Sequence, residues 1–266
     1  MRYHLGNKKC TILSLPLSML IMLILLFFAN PNQAATPIPT KYKAKFEQQV
    51  SKHYQRLSPH KKVIDKQFTR HKSTVQHIIK QLDAQRLPRS LVLIPMIEST
   101  FDRHAVSHAK AAGLWQLMPA TAKRFGLTVS KTKDERFNIA RSTEAAMQYL
   151  IFLYNKFDQD LKLTLAAYNS GEGRVQRALK RVVDKHFSAL RLPNETVDYV
   201  HKFYALEKLV DLNALASSIP STHSPFAISA VSINNDVVFL KQLFETKTVI
   251  NMKPIKPIIT LKSLSN

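Results

Sequence analysis

The chain has 266 residues, of which 45% are hydrophobic, enough for one domain of ordinary size with flanking segments. Its 39 lysines and arginines far exceed its 18 aspartates and glutamates, which gives a formal net charge of +21. Such a charge indicates an anionic partner, and nucleic acid, a membrane surface or an acidic wall polymer would each fit. Five glycines in the whole chain exclude a glycine-rich phosphate-binding loop.

Residues 1–35 have the order of a secretory leader. Basic residues precede an uncharged apolar run at 11–29, and two alanines close the segment. The run is also long enough for an uncleaved membrane anchor, so the sequence leaves both interpretations open. In either case the rest of the chain is expected to be exported, to the periplasm or cell envelope, which argues against nucleic acid as a partner.

Cys10 is the only cysteine of the chain, and it lies in this leader. The exported part therefore has no internal disulfide, no thiolate metal site and no cysteine nucleophile. The ten histidines are scattered without the spacing of metal ligands. The sequence thus predicts no metal site and no cofactor.

Residues 36–87 are predicted to form a basic helical arm. Within 41–86, twelve lysines and arginines face three acidic residues, and apolar residues between 75 and 82 recur at helical spacing. The positive charge has two interpretations that composition does not separate. It either keeps a solvated face soluble or docks the arm on anionic wall polymer or a membrane surface.

Residues 88–212 are predicted to form one mainly α domain. Apolar side chains share one face of a helix at 143–157, and a second helix at 162–168 ends in "NSGEG", where asparagine and glycine accept left-handed conformations. The segment 192–210 keeps helical spacing throughout.

Residues 213–266 are predicted to form a linker and a small β-prone or disordered tail. The stretch "SSIPSTHSP" at 217–225 has the composition of a linker. Short apolar runs that favour strands follow it, at 226–233, 237–240, 247–250 and 257–261.

Glu98 ends the apolar run "LVLIPMI" at 91–97. A carboxylate among apolar neighbours is unfavourable unless it is hydrogen-bonded, and its shifted pKa can be useful. Pro95 should restart the helix just before the glutamate, because proline lacks a backbone donor. Taken alone, the pattern is better explained by a helix-end glutamate that reaches water.

Three blocks change this interpretation, at 94–127, 163–179 and 192–206. The first contains E-S-T-F, a serine nine residues after the glutamate, and G-L-W-Q-L-M-P-A-T; the second contains A-Y-N-S-G. Their order and gaps resemble the lytic transglycosylases of the bacterial cell wall, in the membrane-bound D-type branch with the soluble-lytic-transglycosylase domain. The resemblance implies a lysozyme-like helical fold. Unlike that branch, the chain shows no LysM signature after residue 212.

The resemblance implies cleavage, without water, of the β-1,4 bond between N-acetylmuramic acid and N-acetylglucosamine. Glu98 would first protonate the glycosidic oxygen and then accept the proton of the muramoyl C6 hydroxyl, which closes a 1,6-anhydro ring. Ordinary glycosidases need a second carboxylate, whereas here the substrate supplies the nucleophile. Such an acid needs a raised pKa, which apolar neighbours favour.

The resemblance also implies a set of substrate-binding residues: Ser107, Gln116, Met118, Tyr168 and Asn169. Tyr168 would hydrogen-bond Glu98 or the sugar, and Asn169 would shape the same loop. Ser107 and Gln116 would bind the N-acetyl or muramoyl groups, and Met118 would pack against the sugar. Ser99 would support Glu98 without touching the substrate.

Two other functions stay open at this level. A lysozyme-like hydrolase on the same fold would need a positioned water or a second carboxylate, with candidates at Asp102, Glu135, Glu144 and Glu172. A non-catalytic glycan-binding scaffold is the other, and the presence of Glu98 and Tyr168 argues against it. The expected partners are peptidoglycan glycan strands, and the chain is expected to be a monomer.

Overall fold

A computed structural model describes residues 40–217 and 235–244, and these residues form α-helices joined by loops and short 3-10 turns, with isolated β-bridges in place of strands. The prediction of a mainly α fold is confirmed. The helices are α1 Thr40–Leu57, α2 Lys61–Arg70, α3 Lys72–Ala84, α4 Ile94–Ser99, α5 Pro119–Arg124, α6 Ile139–Lys156, α7 Leu161–Ser170, α8 Glu172–Leu179, α9 Asn194–Leu209, α10 Leu212–Ser217 and α11 Asn235–Phe244. The leader predicted for 1–35 lies outside the described residues. Within them, no helix has the length and hydropathy to span a membrane.

Helix α9 lies at the centre of the fold. Buried side chains occur all round it, from Thr196 to Leu209, as expected for a helix that is enclosed by others. It packs against α1, α4, α7 and the 3-10 turn Arg89–Leu93. Any residue on α9 is therefore held by several neighbours at once.

The basic arm contributes to the same core. Helix α1 buries Phe46, Val50, His53 and Leu57, which recur every three to four residues on the face that packs along α9. A 3-10 turn at Ser58–His60 separates α1 from α2. The basic side chains of α1 lie on its exposed face, so one helix serves both the core and the charged surface.

Helix α4 begins at Ile94, with Pro95 in its first turn, so the helix restarts at the proline as the sequence predicts. The side chains of 91–97 are buried around it. Directly after Ser99 the backbone turns left-handed at Thr100 (φ 52°) and Phe101 (φ 63°). The chain thus changes direction directly after the helix that carries Glu98.

The prediction of a β-prone tail is wrong at residues 237–240, which lie inside α11. The other three β-prone runs lie outside the described residues. Helix α11 buries Leu240 and Phe244, which are four residues apart on one face. Lys241 also forms an ion pair of 2.7 Å with Asp102. Docking of this apolar face outweighs the strand preference of the valines, which a composition argument weighs too heavily.

Candidate active site

Glu98 lies on the last turn of α4, where protein atoms crowd its carboxyl although part of the side chain reaches solvent. This desolvation raises the pKa of Glu98 to about 7, in the direction expected from its apolar neighbours. The Tyr199 hydroxyl opposes the shift, and the charge of Glu195 adds to it. A substantial fraction of Glu98 therefore carries a proton at neutral pH.

Tyr199 and Glu195 were not among the residues predicted from sequence to form the site. They lie four residues apart on α9 and so share one face of the helix. Burial, and after it the charge of Glu98, raises the pKa of Tyr199 well above its usual value, and the Tyr199 hydroxyl interacts with the Glu98 carboxyl. This contact is looser than an ideal hydrogen bond. In the described part of the chain, the Tyr199 hydroxyl has no partner within hydrogen-bond distance and angle. The spacing E-x-x-x-Y was visible in the sequence, but its apolar surroundings made Tyr199 resemble a core residue.

Tyr168 lies near Glu98, at the end of α7, and the Glu98 charge helps to raise the pKa of its phenol. Its hydroxyl donates a hydrogen bond of 2.7 Å to the Trp115 carbonyl. The proton of Tyr168 is thus held by the backbone, and its oxygen keeps lone pairs that can accept a hydrogen bond. The predicted hydrogen bond of Tyr168, to Glu98 or to the sugar, stays a prediction.

Ser99 is buried and donates to backbone carbonyls, at 2.8 Å to Leu114 and 3.1 Å to Pro95. It therefore ties the end of α4 to the loop that follows, and its hydroxyl does not bond the Glu98 carboxyl directly. The predicted supporting role is compatible with this position. The tie fixes where the loop crosses the site.

The loop 102–118 holds two predicted substrate-binding residues in defined conformations. The Gln116 amide nitrogen donates to the carbonyls of Ala105 and Gly113, both at 3.0 Å, which leaves its carbonyl oxygen to accept from a ligand. The Ser107 hydroxyl oxygen accepts from the Ala111 amide at 3.0 Å and keeps its proton for a ligand. Both side chains are partly exposed.

Two further predicted residues lie at the ends of helices. Met118 precedes α5 with an extended backbone and is partly exposed, as a sugar contact requires. Asn169 lies next to Tyr168, and its side-chain oxygen is buried without a hydrogen-bond partner among the described residues. That oxygen is available to an N–H donor of a ligand.

The buried guanidinium of Arg136 holds the loop 102–118 through hydrogen bonds, and the sequence did not predict this role. Arg136 pairs with Asp134 through two hydrogen bonds of 2.6 and 2.9 Å. Its remaining arm donates to the carbonyls of Lys110 at 2.7 Å and Leu117 at 3.0 Å. Arginine suits this position because it offers several fixed donors at once. The conformation of the loop thus depends on Arg136, which lies outside the loop.

Comparison with known proteins shows which family this part of the chain resembles. Residues 76–190 match the profile of the family described as "Transglycosylase SLT domain". This part of the chain therefore resembles an SLT domain.

Two relatives extend this result. The chain is 39% identical over 169 residues to the membrane-bound lytic murein transglycosylase D of Escherichia coli (strain K12), an alignment that covers 62% of this chain and 37% of the relative. It is 42% identical over 109 residues to a putative tributyltin chloride resistance protein of Alteromonas sp. (strain M-1), with 41% of this chain and 53% of the relative covered. The chain thus spans about a third to a half of the length of these relatives.

Two solved structures show partial similarity. The lytic transglycosylase Slt of Pseudomonas aeruginosa is 28% identical, with a TM-score of 0.40 over 49% of this chain and 23% of that one. The 70 kDa soluble lytic transglycosylase of Escherichia coli is 23% identical, with a TM-score of 0.44 over 53% of this chain and 25% of that one.

The matched SLT region includes Glu98 and all the predicted substrate-binding residues, but it ends before α9. The two groups that act on the Glu98 carboxyl, Tyr199 and Glu195, therefore come from a helix beyond the matched region. Helix α9 packs directly against α4.

The carboxylates considered for a hydrolase are engaged elsewhere in the SLT domain. Glu135 accepts from the Thr128 amide at 2.7 Å, and Asp102 pairs with Lys241. Glu144 and Glu172 form ion pairs of 2.6 and 2.7 Å with arginines. The carboxylate whose charge acts on Glu98 is Glu195, which raises the pKa of Glu98.

One group of side chains in the described residues has the composition and spacing of a metal site, namely His53, Asp198 and His201. It lies where α1 packs on α9, and sequence spacing did not reveal it because His53 is distant in the chain. It contains none of the groups around Glu98.

Proposed function

We propose that the protein is a peptidoglycan lytic transglycosylase, a carbon–oxygen lyase that cleaves the β-1,4 bond between N-acetylmuramic acid and N-acetylglucosamine. The observation that carries the proposal is Glu98, a carboxyl with a pKa of about 7 in an SLT domain, flanked by Tyr199 and Tyr168. A single group that is part protonated at neutral pH can both donate and accept a proton.

In the first step, Glu98 gives its proton to the glycosidic oxygen, and the bond from that oxygen to the anomeric carbon breaks. The resulting carboxylate and the oxygen lone pairs of Tyr168 stabilise the positive charge that develops on the sugar. Desolvation prepares Glu98 for this step, because it keeps part of the carboxyl protonated at neutral pH.

In the second step, the Glu98 carboxylate accepts the proton of the muramoyl C6 hydroxyl while O6 bonds to the anomeric carbon. The product ends in a 1,6-anhydro ring, and Glu98 recovers its proton without consuming water. The looser contact from Tyr199 stabilises the carboxylate between the two steps. The geometry needs no second carboxylate, in contrast to ordinary glycosidases.

The loop 102–118 and α7 would hold the sugars. The hydroxyl hydrogen of Ser107 can be donated to the carbonyl oxygen of an N-acetyl group. The side-chain carbonyl oxygens of Gln116 and Asn169 can accept from the N–H of such a group. Met118 offers an apolar contact to a sugar face.

Product mass tests the proposal. We expect the full chain, purified in detergent and incubated with peptidoglycan, to release muropeptides that end in 1,6-anhydromuramic acid. A hydrolase with Glu195 as second carboxylate would instead release products heavier by one water, with reducing ends. Binding to peptidoglycan without release of soluble products would favour a scaffold.

The pH profile gives a paired prediction. Since Glu98 must be protonated for the first step, kcat/KM should fall as pH rises through about 7. Removing the Tyr199 hydroxyl in Tyr199→Phe takes away a contact that lowers the pKa of Glu98, so the falling limb should move to higher pH. Glu195→Gln removes a charge that raises this pKa, so the limb should move to lower pH. Tyr204→Phe, on the same helix, is the control with an unmoved limb. Shifts of the same sign in both site variants would contradict this electrostatic assignment.

We also propose that the protein acts in the cell envelope and that α1 docks on anionic wall polymer or lipid. The lysines of its exposed face, including Lys43 and Lys52, point to solvent, so packing in the core does not explain their presence. Binding to peptidoglycan sacculi should weaken when salt rises from about 0.05 to 0.5 M, because exposed charges are screened.

Charge-matched variants separate the arm from net charge. Lys43→Gln/Lys52→Gln should bind sacculi more weakly and show a smaller salt effect than Lys123→Gln/Lys131→Gln, which removes two exposed lysines outside the arm. Equal effects of the two double variants would show that only the overall charge matters.

A further inference from the structure

Three side chains meet on the side of α9 that faces the arm. His53 comes from α1, and Asp198 and His201 come from α9, where their spacing of three residues places them on one face. One ligand atom of each lies within 4.8 Å of the others. His53 Nε2 and Asp198 Oδ1 are 3.7 Å apart, too far for a hydrogen bond but close enough for both to reach one ion.

The hydrogen bonding of this group is incomplete. His201 is only 5% exposed, and its Nδ1 is buried without a hydrogen-bond partner in the described part of the chain. Buried polar atoms are seldom left unpaired, because an unmade hydrogen bond is unfavourable. His201 Nδ1 therefore has a lone pair or a proton that no described group hydrogen-bonds.

Both histidines are buried, His53 with 9% and His201 with 5% of its surface exposed. An imidazole nitrogen is the commonest metal ligand in proteins. The Asp198 side chain is about half exposed, so it supplies a negative charge and leaves an approach from solvent.

We propose that His53, Asp198 and His201 bind a divalent transition-metal ion of the Zn²⁺ type at the interface of α1 and α9. Two imidazoles and one carboxylate are a common ligand set for Zn²⁺, with water in the fourth position. Bonds of about 2.0–2.1 Å to tetrahedral zinc separate the ligand atoms by roughly 3.3 Å. Side-chain rotations that move each ligand atom by about 1 Å would bring the three atoms to this separation.

The ligand atoms decide which ion fits, because two of the three are imidazole nitrogens. Ca²⁺ and Mg²⁺ depend on several oxygen ligands and would be excluded. An ion that forms strong bonds to imidazole nitrogen is retained.

Such an ion would join the arm to the helix that carries Tyr199 and Glu195. Asp198 and Tyr199 are neighbours in sequence but face opposite partners, the arm and Glu98. Metal binding would therefore brace α9 from the side away from the carboxyl. The site does not depend on the proposed enzymatic function.

Metal titration of the full chain, purified in detergent and freed of metal with EDTA, tests the proposal. We expect one Co²⁺ per chain with the visible absorption of a four- or five-coordinate nitrogen and oxygen site, displaced by Zn²⁺. Saturating Zn²⁺ should raise Tm by about 5 °C, since it binds the folded state alone. Mg²⁺ should do neither.

Variants locate the ion. His53→Gln and His201→Gln should weaken binding by about 100-fold or more, since even changes behind the ligands cost 10–100-fold. Asp198→Asn keeps the size of a half-exposed side chain and should fold normally, so it decides the matter if a histidine variant does not fold. His104→Gln, an exposed histidine outside the group, should bind as the parent chain does.

Three results would overturn the proposal. They are absence of Co²⁺ or Zn²⁺ binding up to about 1 mM, unchanged affinity in Asp198→Asn together with the histidine variants, or a thiolate-to-cobalt charge-transfer band, which would assign the ion to Cys10.

Discussion

Replacing Glu98 with glutamine is expected to lower release of anhydromuropeptides by about 10³-fold or more. General acid and base catalysis each contribute about 10²–10⁴-fold, and here one carboxyl performs both. Glutamine keeps the shape of the side chain but can neither donate a proton to the glycosidic oxygen nor accept one from the C6 hydroxyl. The measurement is the initial rate of product release from purified sacculi.

Glu144→Gln is the matched control, because Glu144 is an exposed glutamate on α6 that pairs with Arg141. Its activity should equal that of the parent chain. Sedimentation with sacculi should show that Glu98→Gln still binds. Activity above about a tenth of the parent rate in Glu98→Gln would remove Glu98 from its proposed role.

The same substitution should make the protein more stable at alkaline pH. The folded pKa of Glu98, about 7, lies above the ordinary value of 4.5, so the folded state holds this proton more tightly than the unfolded one. Its contribution is present below the unfolded pKa and is lost as pH rises through about 7. Above pH 8 the buried carboxylate should cost about 2–3 kcal/mol, which Glu98→Gln would restore in urea unfolding. Equal stability of the two chains at pH 8 would mean that the carboxyl is better solvated than its position indicates.

Gly113→Ala is expected to have the largest effect on stability. Gly113 adopts φ 81°, and an added Cβ would lie 2.0 Å from the Arg136 carbonyl oxygen, which is backbone and cannot move aside. Conformational strain and overpacking together should cost about 3–5 kcal/mol. The loop 102–118 would have to leave Arg136, so activity should fall with stability.

Gly126→Ala separates strain from collision. Gly126 has nearly the same conformation, φ 85°, but nothing lies within 4 Å of its added Cβ. It should lose only about 1–2 kcal/mol, the cost of a left-handed residue with a side chain. The comparison is made by urea unfolding of the two variants at one pH. Similar losses in both would show that the collision with the Arg136 carbonyl is relieved at little cost.

Local signals made much of this fold predictable. The helical spacing at 143–157, 162–168 and 192–210 depends on residues within a few turns of one another, and each segment matches a helix apart from one or two residues at its ends. The restart at Pro95 follows from the chemistry of that residue alone. The tail shows the limit of such signals, because its helix at 237–240 depends on where Leu240 and Phe244 dock, which no local pattern records.

By itself the sequence determined that Glu98 lies behind an apolar run and in register with two further motif blocks, from which a raised pKa and a single-carboxyl mechanism follow as predictions. Only the tertiary structure decided which groups tune that carboxyl. Tyr199 and Glu195 follow Glu98 by about a hundred residues, and they reach it because α9 packs on α4. The same packing brings His53 to Asp198 and His201 on the other side of α9. Electrostatic interactions depend on distance in space, and the packing of the helices sets that distance.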